Sequence, residues 1–173
     1  IKDEYYKAYC LTEIAEKYAD IGQKEKAIQI LLQAIEVAKM IESGYDKAEV
    51  LSDIAVKHAE AGQKEKAIQI LQQALEVAKT IDEYEYWKAI ALYDIAVRYE
   101  EVGQKEKAIQ ILQQALEAAK MIEDGYYKAR ALSDIAVRCD ENGQFDLALE
   151  AAKMIEDGYH KAKVLSDIAM KYA

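Results

Sequence analysis

Few side chains in this sequence suit catalysis, and none is spaced as catalysis or metal binding would require. Of the two histidines and two cysteines, His58 and Cys139 replace a tyrosine that similar stretches of the chain carry, so we expect both to be core residues. His160 has no histidine or cysteine partner at metal-ligand spacing. Glu100 and Glu101 occupy consecutive positions of a predicted helix and point apart, which is typical of a solvated face. We therefore predict no catalytic residue, no metal, no cofactor and no enzyme activity.

A repeated decapeptide is more informative than any of these side chains. The letters GQKEKAIQIL occur at 22–31, 62–71 and 103–112. Identical stretches cannot each form a private active site, so the repetition indicates architecture rather than catalysis. Alignment of the chain with itself places a glycine at equivalent points of four copies, with spacings of 40, 41 and 40 residues. These glycines are Gly22, Gly62, Gly103 and Gly143.

Each copy is predicted to be a helical hairpin. In the first half of the second copy, Leu51, Ile54, Ala55 and His58 are spaced by three and four residues, which places them on one helix face. The apolar residues of 67–78 follow the same spacing after the glycine, which can end the first helix in a left-handed conformation. We expect helices of about 14 and about 18 residues. One hairpin cannot bury both apolar faces, so neighbouring copies must stack as an α-solenoid.

Composition excludes several classes of partner. The chain of 173 residues has no proline and a formal net charge of −9, which predicts no binding to nucleic acid. No apolar run approaches the ~20 residues needed to cross a bilayer, and no signal peptide is visible, so we expect no membrane partner. Two cysteines at non-equivalent positions predict no disulfide framework and a cytoplasmic location. Since the chain starts at Ile1 rather than Met, we expect a fragment or a processed product.

Two copies depart from the pattern. In the third copy 23 residues separate Gly103 from Tyr126, whereas 16 separate Gly143 from Tyr159 in the fourth. The difference of seven is close to two helical turns, so the fourth second helix should be shorter without losing the phase of its apolar stripe. The linker IDEYEYWKA after the second copy is one residue longer than IEDGYYKA and lacks its glycine. We expect a different linker geometry there.

The spacing of large and small residues resembles the tetratricopeptide repeat. The family's pattern is matched by Leu, Ile, Ala and an aromatic residue before the glycine and by Ala, Leu and Ala after it. A leucine replaces the usual tryptophan, the closing proline is absent, and the period is about 40 residues. The resemblance therefore implies an extended variety of the repeat, in an all-α, right-handed α-solenoid. In the first copy the matching residues are Leu11, Ile14, Ala15, Tyr18, Gly22, Ala27, Leu31 and Ala34.

The whole chain is predicted to form one domain. The repeat units are expected at about 7–46, 47–87, 88–127 and 128–160, followed by a capping helix at 161–173. In that helix Leu165, Ile168, Ala169 and Tyr172 should cover the fourth unit. An armadillo-like array of helical hairpins is the alternative architecture.

The resemblance implies a concave face, lined by the first helices, on which members of the family bind peptides. On that face we predict an apolar strip, a row of hydroxyls and a ledge of carboxylates, with basic side chains towards the C-terminal end. This combination favours a protein or peptide partner with basic and apolar segments. The alternative is that long side chains of adjacent units cover the valines. The predicted groove residues are Thr12, Glu16, Glu49, Ser52, Asp53, Val56, Tyr93, Asp94, Val97, Arg130, Ser133, Asp134, Val137 and Lys163.

An aromatic row recurs at the junction between units. A tyrosine precedes a Lys-Ala pair two residues later in every copy, and a second aromatic or histidine often lies beside it. Stacking of nucleic acid bases on such a row disagrees with the acidic charge, so we predict that the row packs the linkers. The row consists of Tyr5, Tyr45, Tyr86, Tyr126 and Tyr159, with Tyr6, Trp87, Tyr127 and His160 beside it.

Two functions follow from the sequence. The first is a non-catalytic protein–protein interaction module that binds a peptide or partner helix in its groove. The second is a structural or self-associating repeat scaffold without a separate ligand, which a consensus design would also produce. The start of the chain, IKDEYYKAYCL, is similar to the tail of a preceding unit. We therefore expect a partly apolar N-terminal face capable of self-association.

Overall fold

The computed structural model describes residues 3–82 and 84–170, without the side chain of Met170. This part of the chain consists of nine helices and contains no strand. The helices are α1 Asp3–Asp20, α2 Lys24–Ala38, α3 Gly44–Glu60, α4 Lys64–Lys79, α5 Glu85–Glu101, α6 Lys105–Lys120, α7 Gly125–Glu141, α8 Phe145–Met154 and α9 Gly158–Met170.

Consecutive helices pair as hairpins that stack in one direction. The pairs α1–α2, α3–α4, α5–α6 and α7–α8 form the hairpins, and each first helix also packs on the first helix of the next unit. The helix α9 packs mainly on α7 and occupies the position of a fifth first helix. This architecture confirms the predicted right-handed α-solenoid.

Four glycines end the first helices in the predicted left-handed conformation, with φ of 79°, 87°, 77° and 73° at Gly22, Gly62, Gly103 and Gly143. In the second unit the amide of Gln63 donates to the carbonyl of His58 at 2.8 Å, and the amide of Gly62 donates to that of Ala59 at 2.9 Å. These two bonds form a Schellman motif, which satisfies carbonyls that the helix end leaves unpaired.

Replacing Gly62 by alanine is expected to lower the free energy of unfolding by about 1 kcal/mol. A Cβ atom built on Gly62 meets nothing within 4 Å, so the cost arises from the positive φ alone. Chemical denaturation measures this difference. The matched control is Gly125→Ala, where the Cβ also meets nothing within 4 Å and the backbone is helical, so stability should be unchanged or higher. Equal losses at both positions would contradict the assignment of strain to φ.

The helix lengths differ from the prediction. The first helices α1, α3, α5 and α7 have 17 or 18 residues, and the full-length second helices α2, α4 and α6 have 15 or 16. The first helices are longer because they begin within the linkers. Asp124, for example, caps α7 by accepting hydrogen bonds from the amides of Tyr126 and Tyr127. The shortening of the fourth second helix is confirmed, since α8 has 10 residues where α6 has 16.

Small and apolar residues form one continuous core along the stack. Ala15, Ala27 and Ala34 are almost completely buried, which lets helix backbones approach closely. His58 and Cys139 are core residues, as predicted, with 0% and 1% of their surfaces exposed. Burial lowers the pKa of His58, although its Nδ1 lies 2.7 Å from the side-chain oxygen of Gln63. Burial also raises the pKa of the Cys139 thiol to about 11.

The N-terminal face of the stack is partly apolar, as the sequence predicted. Ile14 is 46% exposed, whereas the equivalent Ile54 and Ile95 are 0% and 1% exposed. The physical reason is position, since Ile14 has no preceding unit among the described residues to cover it. Tyr6 on α1 is also exposed.

The C-terminal helix differs from the predicted cap. It begins at Gly158 rather than at residue 161, and its buried residue is Val164. The prediction that Leu165 and Ala169 cover the fourth unit is wrong, because both are exposed, while Ile168 is half-buried. The equivalent Leu51, Leu92 and Leu132 are buried in units that have a second helix, whereas no second helix follows α9 among the described residues. Tyr172 lies outside the described residues.

Candidate functional site

A cleft of about 600 Å³ lies between the first helices α1, α3 and α5. Four of the predicted groove residues line it, namely Thr12 and Glu16 from α1 and Asp53 and Val56 from α3. Their spacing along each helix, four residues in α1 and three in α3, turns them towards the same side. The first helices thus bring these four residues of the predicted set together.

Ion pairs between neighbouring units line this face. The Lys57 amino group lies 3.1 Å from the Glu16 carboxylate, and the Arg98 guanidinium lies 2.9 Å from the Asp53 carboxylate. Arg138 approaches Glu100 of the preceding unit at 3.7 Å. These pairs are partly exposed, so each adds little stability, but they link each first helix to the preceding one.

Sequence reasoning missed the basic members of these pairs. Lys57, Arg98 and Arg138 follow directly after the three valines of the predicted strip, and this recurrence is the signal that would have identified them. Each basic side chain also pairs with an acidic residue three positions later on its own helix. The acidic ledge is therefore less negative than the carboxylates alone would make it.

Several carboxylates on this face lie close to one another, so the face stays acidic despite its basic side chains. Burial raises the pKa of Asp94 to about 6, against the opposing effect of Arg98 and with help from Glu49, Asp53 and Asp134. Burial also raises the pKa of Glu49, although its carboxylate accepts a hydrogen bond from the Tyr5 hydroxyl at 3.0 Å. Ligand cations that approached these groups would stabilise their ionised forms.

Replacing Asp94 by asparagine is expected to stabilise the protein at neutral pH. The pKa of Asp94 is higher in the folded chain than its ordinary value, so the folded state holds the proton more tightly and ionisation of Asp94 between about pH 4 and pH 6 lowers stability. Asp94→Asn should therefore raise the free energy of unfolding by about 2 kcal/mol at pH 7.5 and leave it nearly unchanged at pH 3.5.

Denaturation at both pH values measures the Asp94→Asn effect. The same substitution at the exposed Asp20 is the control and should change stability by less than about 0.5 kcal/mol at either pH. A stabilisation by Asp94→Asn that is equal at both pH values would contradict the assigned cause.

The valine strip is accessible only in part. Val56, Val97 and Val137 are half-buried, so each leaves some apolar surface open beside the basic side chain that follows it. The strip is therefore neither fully exposed nor fully covered by adjacent units.

Two hydroxyl side chains of the predicted row are buried. Thr12 and Ser52 are only 5% and 2% exposed, and each donates its hydroxyl hydrogen to the carbonyl four residues earlier. Ser133 is half-buried and makes the same bond to Ala129 at 2.7 Å. Short hydroxyl side chains find this acceptor on their own helix, so these groups are not free donors for a ligand.

Charge changes along the face towards the C-terminal end. Arg130 on α7 and Lys163 on α9 are exposed, and both oppose the rise in the pKa of Asp134 that burial causes. They lie outside the cleft between α1, α3 and α5. Tyr93 is half-buried, and the nearby Arg138 opposes the rise in its pKa that burial causes. The predicted residues thus form an extended surface rather than a single pocket.

Metal ligation and membrane insertion find no support in the described residues. In 3–82 and 84–170 no three His, Cys, Asp or Glu side chains are grouped closely enough to hold a metal ion. Each helix of the same ranges is too short or too polar to cross a bilayer.

Stacked hairpins of about 40 residues with an open face along their first helices define an α-solenoid of helical repeats. A family model described as Tetratricopeptide repeat matches residues 8–80 and, in an overlapping register, 46–121. The chain belongs to the tetratricopeptide repeat family, which confirms the resemblance seen in the sequence. The comparison with curated proteins finds no match.

Solved structures of low sequence identity share the fold. Ton1535 from Thermococcus onnurineus NA1 has a TM-score of 0.73 and 20% identity, over 98% of this chain and 51% of that one. This chain therefore spans about half the length of Ton1535. A Podosopora anserina putative kinesin light chain with nearly identical TPR-like repeats gives a TM-score of 0.59 and 19% identity, over 99% and 88%. A Rap protein complexed with Competence and Sporulation Factor gives 0.53 and 22%, over 98% and 45%.

Proposed function

We propose that this chain is a protein-interaction repeat module whose first-helix face binds a peptide or partner helix rich in basic and apolar residues. The observation that carries the proposal is the half-buried valine strip beside crowded carboxylates whose pKa values are raised. Apolar ligand side chains would cover the valines, and ligand cations would approach Glu49, Asp94 and Asp134. A Rap protein of similar fold is complexed with Competence and Sporulation Factor, which supports a binding role for this fold.

The groove itself offers one way to orient a ligand. Its α3 and α5 portion carries Glu49, Asp53 and Asp94, whereas Arg130 and Lys163 lie towards the C-terminal end. A ligand with basic residues at one end and acidic or neutral residues at the other would therefore bind in one direction. We also infer a cytoplasmic location for this module, from the non-equivalent positions of its two cysteines.

The test is a titration with two labelled 15-residue peptides of equal length and apolar content, one carrying lysine and arginine and the other glutamate. The basic peptide should bind at least about tenfold more tightly, and its affinity should fall as salt is raised. Its affinity should also fall between pH 7.5 and pH 5, because Asp94, with a pKa of about 6, loses its negative charge. Tighter binding of the acidic peptide would overturn the proposal.

Self-association is the second candidate, and the exposed Ile14 and Tyr6 on α1 favour it. An apolar face of this kind can stack on another helical hairpin. Light scattering at rising concentration should then show dimers, and Ile14→Lys should abolish them. A strict monomer at high concentration would exclude this candidate.

A further inference from the structure

A ladder of aromatic rings runs along one edge of the solenoid, at the first turns of α3, α5, α7 and α9. Ring centroids lie 4.8 Å apart between Tyr45 and Trp87, 4.7 Å between Tyr86 and Tyr127, and 6.3 Å between Tyr126 and His160. Within each helix the adjacent rings are 5.1–5.6 Å apart. The ladder thus consists of Tyr45, Trp87, Tyr86, Tyr127, Tyr126, His160 and Tyr159.

Packing of the linkers explains only part of this ladder. Tyr45 and Tyr86 are half-buried against the core, as predicted for linker packing. The same prediction is wrong for Tyr126 and Tyr159, which are 61% and 74% exposed. The ring that covers Tyr86 belongs to Tyr127, whereas Tyr126 is met by the smaller and more distant ring of His160. Trp87 and Tyr127 are themselves 43% and 45% exposed.

Two clefts open on this edge and share one side chain. The α3–α5 cleft, of about 430 Å³, is lined by Tyr45, Trp87 and Tyr84, and the α5–α7 cleft, of about 390 Å³, by Tyr84, Tyr86 and Tyr127. Tyr84 is 67% exposed and stands in the linker that departs from the pattern of the other copies. The two clefts therefore form one aromatic surface with Tyr84 at its centre.

Tyr84 occupies a position at which the other linkers carry a capping residue. Ser43, Asp124 and Asp157 each accept a hydrogen bond from an amide in the first turn of the following helix. Tyr84 precedes α5 and makes no such side-chain bond, so the helix start lacks a stabilising cap. Tyr84 thus presents an exposed ring where the other linkers carry a cap, and this departure points to binding rather than to helix capping.

From this geometry we infer that the aromatic edge binds a proline-rich segment in the polyproline II conformation that also carries arginine or lysine. Aromatic-lined grooves accept the rings of proline, and the carbonyls of a polyproline II helix form no internal hydrogen bonds, so tyrosine hydroxyls can donate to them. Among the described residues that line the two clefts none is Lys or Arg. The carboxylates at their edges, including Asp46, Asp82, Glu85 and Glu123, select a basic ligand.

The dimensions of the ligand match those of the stack. Three residues of polyproline II rise by about 9.3 Å, and packed helices lie about 8–10 Å apart. A proline at every third position therefore meets equivalent rings on successive first helices. The surface should therefore bind a segment with regularly spaced prolines more tightly than a segment of the same composition in another order.

The fluorescence of Trp87, the single tryptophan of the chain, reports on binding directly. The probe is a 12-residue peptide with proline at every third position and two arginines. It should shift Trp87 emission to shorter wavelength in a saturable way. The same residues in scrambled order, and a version with glutamate for arginine, should each bind at least about tenfold more weakly.

Tyr84→Ser separates binding from folding, because serine can restore the cap that Ser43 provides in the preceding linker. We expect this variant to withstand at least as much denaturant as the original chain and to bind the peptide at least about tenfold more weakly. The control is Tyr6→Ala, which removes a 54% exposed ring outside both clefts and should leave affinity unchanged. Equal affinity of Tyr84→Ser and the original chain would overturn the inference.

Two further measurements distinguish peptide binding at this aromatic surface from binding at the groove and from carbohydrate binding. Val97→Lys, which changes the first-helix groove, should leave binding of the proline-rich peptide intact, so failure of the groove proposal and failure of this one are distinguishable. A soluble glucan hexasaccharide should leave Trp87 emission unchanged. If the sugar, rather than the peptide, changed this emission, the inference would be overturned in favour of carbohydrate binding. No saturable change with the peptide would also overturn it.

Discussion

Leu71→Ala is expected to lower the free energy of unfolding by about 3 kcal/mol, within the usual 2–5 kcal/mol for a buried leucine. Leu71 is completely buried in α4, and α4 packs both on α3 of its own unit and on α5 of the next. The cavity therefore weakens the hairpin and the stack together. Because each unit of a solenoid is stabilised by its neighbours, we also expect the unfolding transition to become less cooperative.

Urea denaturation measures this loss, and the slope of the transition reports its cooperativity. Leu32→Ala is the matched control, since it makes the same chemical change at a leucine that is 45% exposed in the equivalent helix α2. We expect it to cost less than about 1 kcal/mol. Equal costs at the two positions would mean that the core does not run along the stack as described.

Val97→Lys should weaken the binding of the basic and apolar peptide about 100-fold, which corresponds to about 2.7 kcal/mol. Val97 lies on the central first helix, α5, half-buried in the valine strip. The substitution removes apolar surface that the ligand would cover. It also adds a second positive charge next to Arg98, which repels a basic ligand.

Isothermal titration with the basic peptide checks this expectation. Val77→Lys is the control, since Val77 is also a half-buried valine, on the second helix α4. It should leave affinity unchanged while tolerating a lysine whose stem follows the apolar surface. An unchanged affinity of Val97→Lys would move the binding site away from the first-helix face. If Val97→Lys bound a glutamate-containing peptide more tightly than the original chain does, this would support charge selection by the first-helix face.

Sequence patterns that depend on local backbone geometry predicted much of the fold. The spacing of Leu51, Ile54 and Ala55 predicted a helix face because side chains three and four positions apart lie together on any α-helix. Gly62 predicted a helix end because a left-handed residue there is a backbone property of glycine. The copies then predicted stacking, since a hairpin with two apolar faces needs neighbours.

Side chains that interact with another unit escaped these rules. Arg98 pairs with Asp53, 45 positions earlier, and no local pattern specifies that distance. Thr12 and Ser52 matched a groove position by spacing, yet neighbouring helices bury them, and their hydroxyls bond to their own backbone. Tyr126 and Tyr86 are equivalent in sequence but differ in exposure, because different rings meet them from the next unit.

The order of residues by itself determined the helical hairpins, the glycine ends of the first helices and the period, because each of these depends on contacts within about 40 residues of chain. The tertiary structure decided which valines, carboxylates and aromatic rings remain open, because exposure depends on the unit that packs alongside. Leu165 shows the difference most simply. It repeats the sequence environment of Leu51, but it is exposed, because no second helix follows α9 in the described chain to complete a hairpin.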